Sequence, residues 1–86
     1  MNIYRLSQTK NNDYDTYDSA VVVAKDESEA RNIHPQDISI VWGDDFWNEE
    51  GQWSTWTAPK DVKVEFIGKA GDSYEEKIVI CASFNS

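Results

Sequence analysis

Apolar and polar positions along the chain change rhythm several times, and each change marks an element. Residues 2–7, NIYRLS, carry Ile3, Tyr4 and Leu6 in imperfect alternation and predict a first strand. Residues 8–16 contain no aliphatic side chain, so they predict a loop that closes a hairpin onto the next segment. That segment, DSAVVVA at 18–24, has an unbroken Val21-Val22-Val23 run, the pattern of a strand covered on both faces or central in a sheet.

A helix signal follows. Asp26 and Glu29 stand at the N-cap and N3 spacing of a capping box, and Glu27 and Glu29 suit the positive end of a helix. Pro35 disfavours helical geometry at His34, which limits the helix to about two turns over 26–33. Ala30 and Ile33, three apart, are its expected core-facing residues. His34 reads as a helix C-terminal residue whose imidazolium could meet the last carbonyls.

Ile38, Ile40 and Trp42 then recur at period two and predict a third strand over 38–42, broken by Gly43-Asp44-Asp45. Residues 48–51, NEEG, fit a hairpin loop, and 52–57 are strand-compatible. In that strand Trp53 and Trp56 would point to opposite faces, so one of them is expected outside or under another element. Val62, Val64 and Phe66 alternate with Lys63 and Glu65 in a half-buried strand. After a turn region at 68–76, residues 78–84 predict a last strand, expected to be central, with Ile78, Ile80, Ala82 and Phe84 on one face and a buried Cys81 on the other. The whole predicts an α+β fold: one small domain over residues 1–86, a mostly antiparallel sheet of five or six strands and one short helix.

Composition adds the aromatic load: 13% of the 86 residues are Phe, Trp or Tyr, an economical way for a small chain to bury area. A core this small rarely supplies more than about 3–5 kcal/mol, and a homodimer is one way to add to it. Cys81 is the only cysteine, so no intrachain disulfide is expected. The N-terminal segment lacks the apolar core of a signal peptide, and no run approaches a membrane span, which gives a cytoplasmic expectation.

The net charge of -8 is concentrated. Residues 11–50 hold eleven acids against Lys25 and Arg31, while the rest holds five acids and six bases. Such a field repels phosphate and attracts basic surfaces, so direct nucleic-acid binding is not expected and a protein with a basic surface is.

Candidate chemistry is sparse. Asp44, Asp45, Glu49 and Glu50 lack the ligand register of a calcium loop. His34 and Cys81 are the sole residues of their types, and no context activates the thiol. With sixteen acids, adjacent carboxylates carry no acid-base information, and no glycine-rich phosphate loop occurs. No catalytic residue, cofactor or metal is therefore expected, and the reading is non-enzymatic.

Four Trp, most of them expected in the core with one or two exposed, leave an interface of exposed aromatic anchors ringed by acids. The candidate partner-binding residues are Asp13, Asp15, Asp18, Asp44, Asp45, Glu49 and Glu50, with Trp47, Trp53 and Trp56 as candidate anchors. The alternative is a Trp/Tyr-lined pocket for a small ligand.

The stretches YDSAVVVAKDESEARNIHP, WTAPKDVKVEFIGKA and CASFNS together resemble a family of small uncharacterised proteins of phages, prophages and bacteria, over about half of the chain. In size and charge the chain is also similar to phage anti-defence proteins, including anti-CRISPRs. That likeness implies an inhibitor of a host nucleic-acid-handling complex, acting in the host cytoplasm by occupying a basic surface.

Overall fold

The computed structural model describes residues 1–10, 16–43, 47, 55–71 and 74–85. Strand β1 spans Asn2–Ser7 and β2 spans Thr16–Ala24; helix α1 covers Glu27–Arg31, and after a 3-10 turn at Pro59–Asp61 come β3, Lys63–Lys69, and β4, Ile78–Asn85. The strands form one four-stranded sheet in the order β3-β1-β2-β4, and each neighbouring pair is antiparallel.

The β1–β2 hairpin is regular: Tyr4 faces Val22 and Leu6 faces Ala20, so even-numbered side chains of both strands share one face. That face is the core. Leu6, Val22, Ala24, Ala30, Ile33 and Trp47 are fully buried there, joined by Trp56 and Val62. Val23 points the other way and is nonetheless fully buried, between Ile3 of β1 and Ile78 of β4. The run of three valines marks a strand that is central among the described strands, flanked by β1 and β4, with Val21 on the odd-numbered face only partly buried.

Helix α1 begins where the capping box places it. The Asp26 carboxylate accepts from the Glu29 N–H at 2.8 Å, and the Glu29 carboxylate reaches back to the Lys25 N–H at 3.1 Å, one residue before the cap. Arg31 then fixes the helix to the chain leading into β3: its Nη1 donates to the Pro59 carbonyl at 3.1 Å and also to the Val62 carbonyl. Its Nη2 pairs with Glu27 one turn back at 3.2 Å.

Several expectations are corrected. Among the described residues the sheet has four strands, so the expected five or six are not confirmed. Residues 38–42 form turns instead of a strand, because Asp37 captures the donors a ladder would need. Its carboxylate accepts from both the Ser39 N–H and hydroxyl at 2.8 Å, and its carbonyl accepts the Ile40 N–H at 3.1 Å. Residues 55–57 are not in a strand either; the remainder of that expected strand and the 48–51 hairpin loop lie outside the described residues. Among the described residues β4 is an edge strand and not a central one, and Cys81 on it is exposed instead of buried. Its expected even-numbered face is broken by a register shift, since Val21 faces Cys81 while Val22 faces Val79. In β3, Phe66 stands 61% exposed, leaning edge-on to Tyr4 at 5.8 Å.

Candidate interaction surface

Three rings make a stack from core to surface. His34 lies edge-on to Trp47 with centroids 5.3 Å apart, and Trp47 lies edge-on to Trp42 at 5.6 Å. His34 and Trp47 are fully buried, while Trp42 is 38% exposed. The Trp47 Nε1 donates to the Thr57 carbonyl at 2.8 Å, so the middle ring is held at its polar tip as well as by its faces.

The backbone that carries Trp42 is closed by short bonds. The Asp37–Ser39–Ile40 turn precedes it, and Gly43 follows at a φ of 100°, a conformation that side-chain-bearing residues rarely adopt. The Gly43 N–H donates to the Trp47 carbonyl at 2.8 Å. Farther along, the Thr55 hydroxyl bonds the Gln36 side chain at 3.1 Å, and the Thr55 carbonyl accepts the Tyr17 N–H at 2.8 Å. Within this turn segment Ile40 packs against the core, whereas Ile38, Val41 and Trp42 are exposed. The outcome is an apolar patch on a pinned loop.

Two titratable groups adjoin it. Hydrogen bonds from the Ser39 N–H, then its hydroxyl, hold the Asp37 carboxyl below its usual range, so it is ionised at neutral pH. His34 is the opposite case: burial lowers its pKa from 6.5 to about 4, against the pull of the Asp37 charge. The Gln36 N–H donates to His34 Nδ1 at 3.1 Å, which places the proton of the neutral ring on Nε2. His34 is thus a neutral core ring and not the helix-end imidazolium the sequence suggested. Among the described residues its Nε2 has no hydrogen-bond partner.

Beside Ile38 runs a groove of about 360 Å³ lined also by Met1, Lys25, Glu29, Glu75, Glu76 and Lys77. It offers carboxylates and ammonium groups, with neither Trp nor Tyr among the described residues of its walls.

The ten residues expected to contact a partner fare differently. Trp47 and Trp56 are 0% and 1% exposed, so core packing removes both from any contact surface. Asp18 is half-buried on β2, at the shift where Tyr17 faces Phe84 and Ser19 faces Ser83. Asp13, Asp15, Asp44, Asp45, Glu49, Glu50 and Trp53 lie outside the described residues. The sequence reading missed Trp42, with Ile38 and Val41, because period-two spacing placed Trp42 in phase with Ile40 and hence inward. The available counter-signal was Asp37 followed two residues later by Ser39, the mark of a side chain that closes its own turn.

No family model, curated protein or solved structure matches the chain.

Proposed function

We propose that the protein is a non-enzymatic binding module that docks on a basic protein surface, with Trp42 as the anchor. The observation that carries this reading is the Trp42 ring, 38% exposed and backed by the buried, hydrogen-bonded Trp47. An aromatic held in place before binding loses little freedom when it docks, and such rings dominate interface energetics. Exposed Ile38 and Val41 widen the apolar contact. The ionised Asp37 beside them, in a chain of net charge -8, favours a cationic rim on the partner.

A basic surface of that kind is what nucleic-acid-handling proteins present, and the finer proposal is that the module competes with nucleic acid for it, as a phage-type inhibitor of a host defence complex would. Capture of host proteins by the immobilised chain tests this. A partner released by added salt and displaced by excess DNA or RNA is the expected result. A partner indifferent to both, or none at all, overturns the proposal.

A further inference from the structure

The two edges of the sheet are unlike. β3 carries Lys63, Glu65 and Lys69 along seven residues, with Lys63 Nζ 3.1 Å from the Glu65 carboxylate. Charged side chains on an edge oppose the docking of a further strand. β4, IVICASFN, has no charged residue at all, in a chain whose net charge is -8. Ile80 and Phe84 are 47% and 46% exposed on it, and Cys81, Ala82 and Ser83 are exposed too. Among the described residues, no strand flanks β4 on the side away from β2.

The register shift makes Ile80 the extra residue of a bulge, and this twists the first part of β4 out of line. Residues 81–85 beyond it form a run without an insertion on the β4 side; the second shift of this pair inserts Asp18 on the β2 side, opposite the step from Ser83 to Phe84. We propose that this run pairs with itself: two copies join antiparallel along residues 81–85 and extend the four-stranded sheet across a two-fold axis.

The choice of a second copy follows from symmetry and charge. Two chains of the same net charge repel least where neither presents any, and β4 is such a place. An axis perpendicular to the sheet keeps every residue on its own face, so facing residues must share a face. Centred on Ser83, the axis sets Phe84 opposite Ala82 of the second copy, and does so twice. A large ring then covers a small side chain in both halves, and Ser83 meets Ser83.

Sedimentation of the full chain over a concentration series tests the proposal. The expected result is a monomer–dimer equilibrium that added salt strengthens, because salt screens the repulsion between the two acidic chains. Ser83→Asp places two carboxylates face to face on the axis; it should weaken the dimer about tenfold or more while leaving the circular dichroism of the monomer unchanged. Ser83→Cys combined with Cys81→Ser should form a disulfide between copies under mild oxidation, since facing antiparallel residues lie about 4.5–5.5 Å apart at Cα, within disulfide reach. A wild-type chain that stays monomeric up to its solubility limit, including one that captures only foreign strands, overturns the proposal. So does a dimer that Ser83→Asp leaves intact, and a dimer that fails to cross-link overturns the Ser83 centre.

Discussion

Trp42 stands edge-on to Trp47, with ring centroids 5.6 Å apart and planes at 79°. Trp42 is 38% exposed and Trp47 is in the core, so the exposed ring rests on a side chain that also stabilises the fold. A change in Trp47 should be felt at Trp42, while a change in Trp42 should leave the core in place.

Trp47→Phe keeps a ring in the core but deletes the N–H that serves the Thr57 carbonyl. Leaving that carbonyl without its donor, together with the lost ring volume, should cost about 1–3 kcal/mol, read as a lower urea midpoint with little change in slope. Emission from Trp42 should also become more open to acrylamide, because its rear support is narrower.

Acid should destabilise the fold through His34. Its folded pKa of about 4 lies below the 6.5 of the unfolded chain, so the unfolded state takes up the proton first. Stability is full above pH 6.5, falls through the window between 6.5 and 4, and the loss is complete below that. The full shift corresponds to roughly 3 kcal/mol as an upper bound. His34→Asn can place its side-chain oxygen near the position of Nδ1 and keep an acceptor for the Gln36 N–H without a titrating group. Stability measured against pH should then be flatter across this window, and an unchanged slope would show that other groups set the acid response.

Arg31 ties α1 to the chain entering β3 through the Pro59 and Val62 carbonyls. Arg31→Ala should therefore lower stability by about 1–3 kcal/mol, as expected when charge-assisted bonds to backbone are removed. Arg31→Lys should restore only part of it, since an ammonium cannot reproduce the spread of the guanidinium fork. Equal stability of the alanine variant and the wild type, by denaturant titration, would show the tether to be idle.

Much of the scaffold was legible in the chain. The period-two runs at 2–7 and 62–66, the valine run, and the Asp26/Glu29 pair each specified an element by local chemistry, and β1 appears with the expected bounds. What failed were the readings that depend on neighbours. Whether β4 is central or at an edge is decided by which strand pairs with it, and an apolar run looks the same in both places. At 38–42, hydrophobic spacing and turn chemistry disagreed, and the local hydrogen bonds of Asp37 won. That reversal moved Trp42 from the core to the surface and put Trp47 beneath it.

The central claim is that Trp42 anchors a contact with a basic protein. Affinity of a captured partner for the wild-type chain, Trp42→Phe and Trp42→Ala, at low and at high salt, tests it most directly. The account predicts a loss of tenfold or more for Trp42→Ala, about 1.4 kcal/mol or above, with a smaller loss for Trp42→Phe, weaker binding at high salt for all three, and unchanged folding. Equal affinity of the wild type and Trp42→Ala would contradict it.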